Sequence, residues 1–461
     1  MKNLQTQQVR ALKEGLRGPV ILPDDYAYEA ARKVWNAMID KHPAAIVCCT
    51  TTADVVHAVN FARDQGLPLA VRGGGHNIAG SALCNDGIVI DLSEMRAAQV
   101  DADARRITIE GGATLADFDA ATQAHGLATP LGINSTTGVA GLTLGGGFGW
   151  LSRKYGMTID NLESAEVVTA AGEVLHASAT EHPDLFWALR GGSGNFGVVT
   201  RFEFRLHPVG PDLLAGLIVF PIAEAKRVLQ QYREFMDKAP DELSVWVVLR
   251  KAPPLPFLPE SVHGKEVVVL ALLYNGDPAQ GKALVEPLYR FGTPAGSHVD
   301  VMPYVAWQKA FDPLLTPGAR NYWKSHNFSE LKDGLFDAVI DYIARLPSSQ
   351  CEIFFGAIGG ATTEPAPDAA AYAHRDARFV MNVHGRWDDS ADDARGMGWA
   401  RDFFKASAPY ASGGVYVNFL TDDESDRVKA AYGQNYERLA QIKRQYDPAN
   451  LFSTNQNIRP A

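Results

Sequence analysis

A mixed α+β fold in two parts is predicted for this 461-residue chain, on two observations. From residue 44 to about 208, short apolar β-type runs alternate with segments of helical periodicity. Beyond the linker His207-Pro208-Val209-Gly210-Pro211 the runs lengthen and read as an antiparallel sheet backed by helices. A chain of this length with 46% hydrophobic residues can bury a large core, divided between two domains rather than one or four.

In the first part, helices are expected at 52–65 and 114–126, and a strand at 198–204 after the helical stretch that begins at Pro183. In the second part, strands are expected at 214–220, 243–250, 267–274, 322–328, 352–358 and 379–387. Helical runs at 223–238 and 335–346 separate them, and a helix near 391–408 precedes the C-terminal stretch. No repeat or low-complexity tract occurs, and Pro253-Pro254-Leu255-Pro256 reads as a stiff loop.

The formal net charge is −10 and no basic run occurs, which argues against nucleic acid or an anionic membrane surface as partner. The stretch from Met1 to Gln8 has no apolar signal region, and no segment reaches the apolar length of a membrane span. Cys48, Cys49, Cys84 and Cys351 show neither a paired framework nor metal-ligand spacing. They are expected as small buried hydrophobes in a reducing, cytoplasmic setting, with no metal site.

Chemistry concentrates in three glycine clusters. The first, Arg72-Gly73-Gly74-Gly75-His76-Asn77, follows the apolar run from Leu67 to Val71. Three successive glycines lack Cβ atoms, so the backbone can turn its N–H groups toward phosphate oxygens at close range. That suits a diphosphate cofactor with His76 at its rim as a covalent anchor. The loop leads to further extended chain rather than to a helix, so it is neither a P-loop nor a Rossmann turn. The second cluster starts at Gly132 and continues through GGGFG (145–149) to Arg153-Lys154-Tyr155-Gly156 and Asp160-Asn161. So much small-residue backbone implies close approach to a large flat ligand. The third, Leu189 to Val199, contains a literal GxGxxG at Gly192, Gly194 and Gly197. It follows a helix and precedes a strand, the reverse of the order a dinucleotide fingerprint needs, and is rejected as one.

Taken in order, the RGGGH loop, the GGGFG and RKYG blocks and the LRGGSGNFGVVT block are followed by Tyr416-Val417-Asn418, Asn435-Tyr436-Glu437-Arg438-Leu439 and Tyr446-Asp447-Pro448. Together they resemble the vanillyl-alcohol-oxidase superfamily, most closely its berberine-bridge-enzyme-like branch, over nearly the whole chain. The resemblance implies a PCMH-type FAD-binding domain at 1–210 (core 40–210), a substrate domain at 211–411 and a segment at 412–461 that returns to the FAD domain. It implies FAD bonded through its 8α methyl carbon to His76, with the loop from Arg72 to Gly80 and Ser81 around the pyrophosphate. Further cofactor contacts are implied at Gly132, Asn134, Thr136, Thr137, Gly138, Gly141, Leu142, Gly145, Gly147, Tyr155, Gly156 and Asn161. Gly197, Val198, Val199, Tyr416, Asn418, Asn455 and Asn457 complete that set. Many relatives hold the flavin twice, through a cysteine in the second cluster as well. Asn134 stands at that place, so the link is expected to be single, as in the bacterial 6-hydroxy-D-nicotine oxidase type.

The flavin would supply the redox chemistry, while protein groups place the substrate carbon near N5 and take a proton. By the resemblance Tyr416 is the catalytic tyrosine, and period-two alternation puts Asn418 on its face. A free phenol has a pKa of about 10, so it needs a polar network to act as a base. Candidate helpers are Tyr322, Lys324 and His326 on one strand and Asn382, His384 and Arg386 on another. Asn382 falls where some relatives carry a glutamate or glutamine acting on substrate. An exposed polar sheet face explains these helpers equally well. The expected reaction is hydride removal from a CH–OH carbon of a sugar, secondary alcohol or secondary metabolite, with molecular oxygen reoxidising the flavin to give hydrogen peroxide. Thr137 falls where a short branched side chain leaves oxygen room in relatives. Alternatives are oxidation of CH–NH to an imine, and a flavin-carrying binding protein without turnover. An NADPH-linked enolpyruvate reductase is disfavoured, because a covalent tether suits oxidation better. Substrate identity rests on side chains of a sheet whose register the sequence does not fix.

Overall fold

Three sheets meet around the glycine clusters in this computed structural model, which describes residues 4–461; Met1, Lys2 and Asn3 of the N-terminal stretch lie outside the described residues. The first sheet contains β1 (Val20–Ile21), β2 (Ala45–Cys48), β3 (Leu69–Arg72) and β4 (Ile88–Asp91) in the order β1-β2-β4-β3. Its inner pairs are parallel. β2 and β4 are buried at every residue, as parallel strands covered on both faces require. The helix Thr52–Asp64 links β2 to β3 and starts on a capping box: Thr51 Oγ1 accepts from the Asp54 N–H while the Asp54 carboxylate accepts from the Thr51 N–H.

The second sheet is antiparallel, built from β5 (Ala98–Asp101), β6 (Arg106–Glu110), β8 (Leu162–Val168), β9 (Val174–Ser178) and β10 (Val198–Arg205) in the order β5-β6-β10-β8-β9. A two-stranded ribbon pairs β7 (Leu127–Ala128) with β11 (His207–Pro208), so the expected linker is anchored to the first half. The third glycine cluster lies between the helix Pro183–Leu189 and β10.

The third sheet has seven antiparallel strands: β12 (Asp212–Pro221), β13 (Leu243–Lys251), β14 (Glu266–Tyr274), β15 (Gly296–Pro303), β16 (Arg320–Phe328), β17 (Glu352–Ala357) and β18 (Phe379–Trp387). Their order is β15-β12-β14-β13-β17-β18-β16. Six of these strands are legible in the sequence. The seventh, β15, is an edge strand with mostly half-exposed and exposed residues, so it lacks the apolar signal. The helices Ala225–Met236, Asp333–Ile343 and Asp393–Ser407 back this sheet. Ala225–Met236 does so through Val228, Leu229, Tyr232 and Met236, buried at the spacing of one helix face.

After the helix Asp393–Ser407 the chain returns to the glycine clusters. Residues Val417–Phe419 form a 3-10 turn, so the strand expected around Tyr416 is not formed. The final helix, Tyr436–Tyr446, carries a fully buried Lys443–Asp447 pair at 2.6 Å, and Lys443 Nζ also donates to the carbonyls of Asn195 and Phe452 at 2.7 and 2.9 Å. A buried charge left alone costs several kcal/mol, so these bonds tie the C-terminal segment to the third glycine cluster. The four cysteines are buried and unpaired. Among the described residues, no helix is long and apolar enough to cross a membrane.

Candidate active site

A cavity of about 360 Å³ is walled by all three glycine clusters, the C-terminal segment and one face of the seven-stranded sheet. The first two clusters touch: a Cβ on Gly74 would lie 2.3 Å from the Gly138 nitrogen, and one on Gly138 would lie 2.4 Å from the Gly74 nitrogen. Those glycines are needed for loop-to-loop contact. At Gly141 and Gly194, both in the cavity wall, a Cβ would meet nothing within 4 Å, so open space lies over bare backbone. Asn455 also lines the cavity and has a buried Oδ1 without a partner. Bare backbone on one side and an unpaired acceptor on the other fit a long ligand that carries both phosphates and a flat ring.

Of the residues implied for the cofactor, Gly73, Gly74, Gly75, His76, Asn77, Ser81, Gly132, Asn134, Thr137, Gly138, Gly141 and Leu142 line the cavity. So do Gly197, Val198, Val199, Tyr416, Asn418 and Asn455. Others stand outside its wall and have structural contacts instead. Arg72 pairs with Asp91 at 2.5 Å across β3 and β4. Gly80 lies against Ile39, where a Cβ would come within 2.7 Å. Gly145 makes room for the Asn418 amide, and the Gly147 N–H donates to Tyr416. Tyr155 stacks on His207 with centroids 4.0 Å apart, Gly156 packs on Asp160, and Asn161 donates to the carbonyls of Tyr155 and Met157. Asn457 has a buried Oδ1 without a partner but is not part of the wall. Thr136 is exposed and reaches the site through His76 and Asn134.

His76 is half-buried, its ring stacked on Trp35 with centroids 5.2 Å apart and 20° between the planes. Its Nε2 lies 2.8 Å from Thr136 Oγ1. Burial pushes its pKa down to about 4, so the imidazole is neutral. A neutral imidazole keeps a lone pair free for bonding to carbon.

Tyr416 is 2% exposed. Its hydroxyl accepts from the Gly147 N–H at 3.0 Å and from Asn418 Nδ2 at 3.1 Å. Burial pushes the phenol up to about 12, against the pull of those two donors. Phe148 and Phe419 hold the ring edge-on, each with a centroid 4.9 Å away.

The sheet register decides which helper residues reach the cavity. Arg250, Glu352, His384 and Trp323 are cross-strand neighbours on one face, as are Val248, Phe354, Asn382 and Ser325. Asn382 and His384 therefore line the cavity, whereas Tyr322, Lys324 and His326 point to the opposite face. There Tyr322 donates to Asp423 at 2.6 Å, and Lys324 pairs with Asp423 and Glu424 at 2.9 and 3.1 Å. Tyr322 is thus removed from the candidate catalytic set. Asn382 is 1% exposed and its Oδ1 has no partner. Glu352 bonds Arg250 at 2.7 Å and His384 Nδ1 at 3.3 Å. Burial pushes the Glu352 carboxyl up, but Arg250, then His384 and Arg386, hold it below its ordinary range. Burial lowers the His384 pKa despite Glu352.

Sequence reasoning missed the aromatic wall. Trp246 and Phe354 stack at 5.8 Å and 8°, and Phe419 meets Phe354 at 6.2 Å and Trp323 at 5.5 Å. The signal was the alternation of Trp323 with Tyr322 and Lys324: choosing the polar face as the inner one discarded the tryptophan.

Fold and site together define an FAD-linked oxidoreductase. A family model for the FAD binding domain matches residues 43–178, and one for berberine and berberine-like proteins matches residues 415–459. An FAD-linked oxidoreductase of Dictyostelium discoideum is 33% identical over 99% of this chain and 97% of its own length. The (R)-6-hydroxynicotine oxidase of Paenarthrobacter nicotinovorans is 31% identical over 96% of this chain and 97% of its own. The crystal structure of 6-hydroxy-D-nicotine oxidase from Arthrobacter nicotinovorans superposes with a TM-score of 0.87 at 28% identity, covering 97% of this chain and 98% of that one. The chain belongs to the berberine-bridge-enzyme-like family of PCMH-type flavoproteins.

Proposed function

We propose that the protein oxidises a CH–OH carbon of a ring-bearing secondary metabolite or secondary alcohol, passing the electrons through singly tethered FAD to molecular oxygen. Residues 1–210 with the returning segment 412–461 hold the cofactor, and 211–411 supply the substrate wall. FAD, bonded at His76 and cradled by the first two glycine clusters, supplies the hydride acceptor. Asn134 offers no thiol for a second bond. The observation that carries the reading is Tyr416: its oxygen receives two hydrogen bonds from protein donors, and its own proton has no protein acceptor among the described residues. The two donors stabilise the charged oxygen against the burial that opposes it, and Asn382, in the same cavity wall, supplies a further polar group.

The wall supports a flat substrate over a sugar. Trp246, Phe354, Phe419 and Trp323 offer ring faces and edges, while the polar side chains that the sheet brings to the cavity wall are Asn382 and the Arg250–Glu352–His384 row. Each hydroxyl buried there without a partner would cost about 1–3 kcal/mol, and a sugar carries several. A second reading, oxidation of a CH–NH carbon, is supported by the likeness to the (R)-6-hydroxynicotine oxidase. Buried, unpaired cysteines support a cytoplasmic setting. Anaerobic flavin bleaching across aromatic secondary alcohols, cyclic amines and oligosaccharides tests the proposal. Bleaching by oligosaccharides alone would overturn the substrate reading.

A further inference from the structure

We propose that Asn134 and Thr136 fix the tautomer of His76 and thereby select Nδ1 as the atom that joins the flavin; this rests on His76 being the covalent anchor. The Thr136 N–H donates to Asn134 Oδ1 at 3.0 Å, and because a backbone N–H cannot accept, that amide atom is the oxygen. The Thr136 hydroxyl lies 2.7 Å from the same oxygen. An amide oxygen has no proton to give, so the hydroxyl donates there and uses its one hydrogen. Toward His76, 2.8 Å away, Thr136 Oγ1 can then only accept. Nε2 therefore carries the imidazole hydrogen, and in a neutral ring the bonding lone pair sits on Nδ1.

The same residues hold the ring in place. Asn134 Nδ2 donates to the Leu315 carbonyl at 3.4 Å, and Trp35 Nε1 donates to that carbonyl at 2.8 Å while its indole stacks on His76. His76, Thr136, Asn134, Leu315 and Trp35 thus form a closed circuit of contacts. Asn134 and Thr136 are positioning residues within it, acting on the flavin only through His76.

Attachment forms one C–N bond and breaks one methyl C–H bond. The Nδ1 lone pair becomes the new bond, and the C–H electron pair passes into the ring system, which ends reduced by two electrons. The methyl proton and the Nε2 proton balance that charge, and molecular oxygen takes both electrons and both protons as hydrogen peroxide. The Nε2 proton leaves to solvent as positive charge develops on the ring, His76 being only half-buried.

The test follows covalent flavin during incubation of the purified protein with FAD in air. Covalent flavin is read by in-gel fluorescence after acid precipitation, and total bound flavin by absorbance beforehand. Thr136→Val keeps the shape and removes the acceptor. Covalent flavin should accumulate about three- to tenfold more slowly, the worth of one hydrogen bond, with total flavin unchanged, and Thr136→Ser should restore the rate. In the unmodified protein, NMR of the isolated flavin peptide should place the bond at Nδ1. A bond at Nε2, or wild-type attachment in Thr136→Val, would overturn the proposal. Covalent flavin persisting in His76→Ala would instead overturn the anchor on which it rests.

Discussion

Asn418 Nδ2 donates to the Tyr416 hydroxyl at 3.1 Å, although Asn418 lies in a 3-10 turn that Tyr416 only precedes, and no strand is formed. With the Gly147 N–H it places two donors on the oxygen that must already be negative for Tyr416 to take a proton. Tyr416→Phe should keep its flavin and slow anaerobic reduction by about 10²-fold or more, the range for losing a proton-transfer group. The phenol, pushed up to about 12, is neutral at pH 7. Activity through its phenolate should therefore rise with pH from 6 to 9, and Asn418→Ala should move that rise to higher pH. A reduction rate independent of pH and unchanged in Tyr416→Phe would dismiss the tyrosine.

Asn382 offers a stability test of function. Its Oδ1 is buried without a partner, a cost retained where a ligand completes the bond. Asn382→Leu, similar in shape and apolar, should raise stability by about 1 kcal/mol in denaturant titrations. The same variant should keep its flavin and lose most substrate-driven reduction. A destabilised variant with normal reduction would mean that Asn382 is structural.

Asp119 should make stability fall as pH rises. It is 1% exposed, accepts from Gln308 Nε2 at 3.1 Å, and burial pushes its pKa up to about 7, with Gln308 and Lys309 opposing in part. Asp119 Oδ1 and Gln308 Oε1 both lack partners, and a protonated carboxyl supplies the donor this pair is missing. Below about pH 3 the carboxyl is protonated in folded and unfolded chains alike, so its contribution is fully present. As pH rises toward 7 the unfolded chain ionises first, and the contribution is lost, a change on the order of 4 kcal/mol. Asp119→Asn cannot ionise, so its stability relative to the parent should improve from pH 5 to pH 8 in melting experiments. A constant difference would show that Asp119 is already ionised in the folded protein.

The two-part fold and the three glycine clusters were legible because glycine runs and long apolar strands are local signals. The inner face of the large sheet was not. Tyr322, Trp323 and Lys324 alternate, and a reading from either phase fits period two. Only pairing with β18 settles that Trp323 stands beside His384 and faces the cavity. Glycine roles were mixed for a related reason. Gly141 lies under open space, whereas Gly74 and Gly138 are required by each other, a contact between segments far apart in sequence. The Asn134–Thr136 circuit depends on Trp35 and Leu315, which no motif marks.

Thr137 offers a test of the proposed electron acceptor. It lines the cavity in the cluster that touches the His76 loop. Its backbone is fixed, with the N–H donating to the Asn134 carbonyl at 3.1 Å and the carbonyl accepting from Leu115 at 2.9 Å. The side chain is therefore held at a defined place while its hydroxyl makes no hydrogen bond among the described residues. A short branched side chain there leaves a gap that a longer one would close, since neighbouring backbone cannot retreat. Thr137→Leu should sharply slow reoxidation of the reduced flavin by oxygen and leave anaerobic reduction by substrate nearly unchanged. Stopped-flow mixing of prereduced protein with oxygenated buffer separates the two half-reactions. If both rates fall together the leucine has disturbed the substrate chamber, and if neither falls oxygen arrives by another route; either result removes Thr137 as the gate.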